Sequence, residues 1–220
     1  MIMRPEFIPP DTIQLPFTDL PEDERELGLA FQENLNDLRR ASSDLSYALA
    51  LFQFSDTQIL ESHKIERFLS PNAVWHPWKF IAVKFGGLSI RNWGQALGAI
   101  QGLVGRVPTW AQQIDSTKFR ELRREFDERF PNIDKLRHSI AHPEAYSNPQ
   151  KNTSTSGTIS IPGAHFENVG SIQVQANLHN STYTSTFEGT IVQYDLSSEN
   201  AKRVVDMTSK AFRAVEQIKS

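Results

Sequence analysis

The stretch "KLRHSIAHPEAY", residues 135 to 146, places an arginine, two histidines and a serine within six residues. Histidine titrates near neutral pH, so it can accept or deliver a proton in a reaction. Arginine stays cationic and presents a planar fork that suits phosphate oxygens. His138 and His142 are four apart, with Asp134 one turn earlier, so on a helix the three share a face and form a candidate metal site. "HSIAH" lacks the glutamate of the HExxH motif, however, and Asp134 is equally placed to cap the first helical turn. A purely structural role also fits, because basic groups are favoured near a helix C-terminus. Three chemistries therefore compete: a polar helix end, a histidine metal site, and an arginine acting with a histidine.

The elements that must position these residues follow from apolar spacing. Ile133, Leu136 and Ile140 give residues 133 to 142 an inner face, with Asn132 as cap and Pro143 beyond the end. Arg137 and His142 are expected on the face opposite Leu136 and Ile140. Phe119, Leu122, Phe126 and Phe130 mark an amphipathic helix over 116–130, ended by Pro131. Residues 1–20 are expected to be extended, pinned by Pro5, Pro9, Pro10 and Pro16. Asp19-Leu-Pro-Glu22 reads as a helix start, with Asp19 capping. A long helix follows to about Phe54, with Leu27, Phe31, Leu35, Leu38, Leu45, Leu49 and Phe52 on one face. Residues 56–70 read as a shorter helix or a continuation after a break near Ser55. Trp75, Trp78, Phe80, Ile81 and Phe85 are expected in the core. Gly86-Gly87 is expected to break that segment before a helix over about 91–104, closed by Gly105 and Pro108.

Beyond the motif the composition changes. "SNPQKNTSTSG", 147–157, reads as a mobile polar linker. "SIQVQANL" alternates, and "TYTSTF" and "TIVQYD" flank a turn candidate at Glu188-Gly189. The expectation is a hairpin or small antiparallel β-meander over about 158–194, with Ile172, Val174 and Ala176 facing the helices. Ser197 or Ser198 then caps a final helix to about 218. The fold class is mainly α, a helical bundle forming a single domain over 21–220.

Composition removes several functions. There is no cysteine, which excludes disulfides, thiolate metal sites and cysteine nucleophiles. No apolar run reaches the ~20 residues needed to span a bilayer, and the proline-rich N-terminus does not read as a secretion signal. A cytoplasmic location without membrane association is expected. The net charge of −3 means that any nucleic-acid contact must come from a local patch. From Lys118 to Arg137, Lys118, Arg120, Arg123, Arg124, Arg129, Lys135 and Arg137 are nearly balanced by Glu121, Glu125, Asp127, Glu128 and Asp134, the pattern of a solvated helix laced with i,i+4 pairs.

"RHSIAH" within a helical chain resembles the HEPN superfamily, whose signature is an arginine, a polar residue, and a histidine after four to six intervening positions. Ala141-His142-Pro143 also fits the way that motif often ends a late helix. The resemblance implies a helical bundle over roughly 20–146 plus the last helix, and a metal-independent endoribonuclease of toxin or defence type that needs no cofactor. RNA brings its own nucleophile, the 2′-hydroxyl, so the protein must only move protons and stabilise charge. His142 would be the acid/base, Arg137 the phosphate clamp, and His138 a supporting group. Arg129, Lys135 and Ser139 are the candidates for RNA contact. Residues five apart on a helix point roughly 140° from one another. The resemblance answers with a homodimer that pairs two motif helices in a composite cleft, and an antitoxin or regulatory partner is a further expectation. Phe126, Phe130 and Ile133 are candidates for that interface, with core burial as the alternative. A catalytically silent HEPN-like binding module and the His138/His142 metal site are the other readings.

Overall fold

Two long helices dominate the computed structural model, which describes residues 4–62, 71–141, 154–172, 174, 177–187 and 190–218, with backbone alone at 62, 71–74, 138–139, 141, 154–157 and 168–172. The first, α1 (Glu22–Ser62), has 41 residues and is about 60 Å long at 1.5 Å per residue. Its expected face is real: Phe31, Leu35, Leu38, Leu45, Leu49 and Phe52 are all buried. No break occurs at Ser55, because its hydroxyl donates back to Leu51 O, so the group that competes with a helix is satisfied within it. The start differs from expectation as well. Asp19 lies in a 3-10 turn, Phe17–Asp19, and the amides of Glu24 and Arg25 turn instead onto Pro21 O.

The second helix, α2 (Pro71–Val104), runs through both Pro77 and the glycine pair without interruption. Glycine costs about 1 kcal/mol against alanine in a helix interior. Here it allows close approach. A Cβ on Gly87 would lie 2.3 Å from Leu136 Cδ2 and 2.6 Å from the Tyr194 ring, and one on Gly94 would lie 2.5 Å from the Phe126 ring. That orientation also corrects the aromatic cluster. At 100° per residue, Trp78, Ile81 and Phe85 lie roughly 120–180° round from Gly87. They are 45%, 50% and 43% exposed.

Four shorter helices complete the described helical part: α3 (Pro108–Ala111), α4 (Ser116–Arg129), α5 (Ile133–Ala141) and α6 (Ser198–Arg213). Asp115 caps α4 by accepting from Lys118 N, and Ser197 caps α6 by accepting from Asn200 N. The last helix is shorter than expected, although Val215 and Ile218 beyond it are still buried. Phe126, Phe130 and Ile133 are 1%, 3% and 4% exposed, so they belong to the core and cannot offer an interface. Inside it, the Ser42 and Thr208 hydroxyls bond to each other and Trp93 Nε1 donates to Thr208 Oγ1 at 2.8 Å. That network ties α1, α2 and α6 together.

The β region is two sheets, not one meander. β1 (Ser154–Ile161) pairs antiparallel with β2 (Ala164–Ile172), and β3 (Asn177–His179), β4 (Thr182–Phe187) and β5 (Thr190–Asp195) form the second, also antiparallel. The missed signal is Pro162-Gly163, a turn in which Gly163 takes φ 82°, a conformation glycine adopts without steric cost. Residues 154–157, expected in the linker, pair with β2; 147–153 lie outside the described residues. Val174 is buried and exchanges backbone and hydroxyl bonds with Thr186, while the side chains of Ile172 and Ala176 lie outside the description. The three-stranded sheet leans on the helices through Tyr183, Val192 and Tyr194. Phe187 faces Thr190 across the β4–β5 connection; Glu188 and Gly189 themselves are outside the described residues. Among the described residues no helix is long and apolar enough to cross a membrane.

Candidate functional site

The chain reaches α5 through a tight reversal. Pro131 ends α4, and Asn132 adopts φ 61°, a left-handed conformation that asparagine tolerates better than most residues. Its carbonyl accepts from Lys135 N. Ile133 and Leu136 are buried and Ile140 packs against the core. Leu136 fills the space that Gly87 leaves. The inner face therefore fixes the rotation of α5.

That rotation places Arg137 on the flank of the buried face, roughly 70° from its middle at 100° per residue, and not opposite it. Arg137 is exposed. The adjoining turn of α2 carries Arg91, four residues after Gly87. Burial lowers the pKa of Arg91, the positive charge of Arg137 lowers it further, and Asp134 opposes them. Two guanidiniums and one carboxylate thus share this edge. Arg91 Nη1 donates to Gln95 Oε1 at 2.9 Å. Among the described residues its Nε is buried without a hydrogen-bond partner, a situation that costs about 1–3 kcal/mol. Sequence reasoning passed over Arg91, since no motif contains it.

The other nominated residues are distributed differently. Lys135 lies roughly 160° round the helix from Arg137, and its ammonium donates to Thr190 Oγ1 at 2.7 Å. Arg129 spans to α6, where Nε donates to Asn200 Oδ1 at 2.7 Å and Nη2 meets Glu199 Oε1 at 2.6 Å. Neither is brought to Arg137. His138 and Ser139 lie in the last turns of α5, their side chains outside the description. His142 lies outside the described residues. Among the described residues no group of three or more ligand-type side chains gathers; the His138/His142 pair falls outside that set.

Beneath this edge Tyr194 joins sheet to helix. The Gly87 N–H donates to its Oη at 3.0 Å. Burial pushes the phenol well above its ordinary value of 10.0, so it is held neutral. Along α4 most basic residues are paired, Arg123 with Asp127 and Arg124 with Glu128, and Glu125 of α4 pairs with Arg203 and Lys210 of α6. A hollow of about 300 Å³ beside the last of these is lined by Lys118, Glu121, Leu122, Glu125, Lys210 and Arg213. None of the nominated residues lines it.

No family model matches the chain, and no curated protein or solved structure is significantly similar to it.

Proposed function

We propose that the chain is a HEPN-like, metal-independent endoribonuclease in which His142 moves the proton and Arg137 holds the phosphate. The observation that carries this reading is the exposed arginine midway along a short helix seated by its buried face, near enough to a second guanidinium to lower its pKa. Attack by the RNA 2′-hydroxyl on its adjacent phosphate needs a base for that hydroxyl proton and an acid for the leaving oxygen. It also needs fixed positive charge on the phosphoryl oxygens. Histidine and arginine supply these. His138 supports His142. Pairing of two copies would bring a second motif to the same phosphate, so the active form is a homodimer. A toxin or defence role with an antitoxin partner follows from the resemblance.

One observation favours a second reading, a catalytically silent HEPN-like module. The basic residues of α4 are largely paired with acids, which suits a small local ligand contact better than an extended RNA track.

The test is incubation of purified protein with labelled mixed RNA, with and without EDTA. Cleavage unaffected by EDTA is expected. EDTA-sensitive cleavage would point to the His138/His142 metal site, and intact RNA throughout would leave the silent module.

A further inference from the structure

We infer that Arg91 is the second arm of a phosphate-binding site shared with Arg137, one that takes the backbone phosphate of single-stranded RNA. The inference rests on the nuclease reading for the identity of its ligand; the site itself rests on geometry. Gly87 and Leu136 are a close contact between α2 and α5, since a Cβ at Gly87 would collide with the Leu136 side chain. One turn along α2 from that contact is Arg91, and one residue along α5 is Arg137. Gln95, another turn on, holds Arg91 Nη1, so the guanidinium is oriented before any ligand arrives. Its Nε is shut in without a partner among the described residues, which leaves the outer guanidinium nitrogens to meet an anion. Two like charges with Asp134 as their carboxylate neighbour repel. A phosphate between them turns that repulsion into attraction, and two planar forks suit its oxygens. An arginine placed only for stability would be expected to have its buried donor satisfied.

The test uses the whole protein and a fluorescent single-stranded RNA whose 2′-hydroxyls are methylated, so that it binds but cannot be cut. Affinity is measured by anisotropy over a range of salt. Arg91→Gln and Arg137→Gln should each weaken binding on the order of tenfold and reduce the salt slope by about 0.7. Arg91→Lys should keep the slope and recover only part of the affinity. The melting temperature of Arg91→Gln should be unchanged or higher, because a repulsion is removed; a structural arginine would lower it. Wild-type affinity and slope in Arg91→Gln overturn the inference, as does a wild-type protein that does not bind the RNA. Cleavable RNA, assayed in parallel, separates the two claims. Arg91-dependent binding without cleavage keeps the site and removes the nuclease reading. Cleavage with an unchanged KM in Arg91→Gln does the reverse.

Discussion

Helix α2 takes part in two junctions that treat polar groups in opposite ways. Where it meets α1 and α6, Trp93 Nε1, Ser42 and Thr208 satisfy one another in the interior. Where it meets α5, Arg91, two residues before Trp93, keeps a buried Nε without a partner among the described residues and feels a like charge from Arg137. A satisfied buried network specifies a core. A stranded, repelled charge costs stability, and such local violations are expected where a protein does something other than fold. The first junction serves the fold, and the second holds the candidate site.

The comparison can be broken at several points. Trp93→Ala should be the most damaging, costing about 3–5 kcal/mol in urea unfolding, since it removes a fully buried ring; a loss below about 1 kcal/mol would deny the first junction its role. Gly87→Ala should cost about 1–3 kcal/mol through overpacking against Leu136 and Tyr194. It should also lower RNA cleavage, because α5 must shift. Normal stability with normal cleavage would show that the close approach is not needed.

Tyr194→Phe should cost about 0.5–1.5 kcal/mol by removing the bond that the Gly87 N–H donates to the phenol. It also sharpens the pH behaviour. The folded phenol titrates above its ordinary 10.0, so its contribution is complete below pH 10 and is lost as pH rises from there toward the folded pKa. Stability of the wild type should therefore fall above about pH 10, and that fall should be shallower in the phenylalanine variant. Parallel curves would rule out Tyr194 as the cause. The smallest effect should come from Arg129→Ala. Its partly exposed pair with Glu199 is worth up to about 1 kcal/mol, and since the Arg129 side chain is engaged by Asn200 and Glu199 of α6, cleavage should change little.

Local rules made some of this visible in advance. The inner face of α5, the amphipathic α4 and the Ser197 cap each rest on spacing or a single side chain, so they could be read from the residues. The continuity of α2 could not. Gly86-Gly87 is a breaker by propensity, and only the arrival of Leu136 and Tyr194, about 50 and 107 residues later in the chain, gives it a packing role. Trp78, Ile81 and Phe85 were misplaced for the same reason, because which side of α2 faces inward is decided by partners distant in sequence. The split of the β region turned on Pro162-Gly163, a local signal that strand alternation further along overshadowed. Arg137 was legible through its motif. Arg91 was not, since the role proposed for it depends on which turn of α2 lies against α5.

The central claim is that Arg137 works with His142 on RNA while contributing little to the fold. Its most direct test is the cleavage rate of labelled RNA in EDTA by wild type, Arg137→Ala and His142→Ala, with melting temperature recorded on the same preparations. Both variants should lose about a hundred- to ten-thousand-fold in rate, and Arg137→Ala, being exposed, should stay within about 0.5 kcal/mol of wild-type stability. An Arg137→Ala protein that folds and cleaves RNA at the wild-type rate would contradict the account.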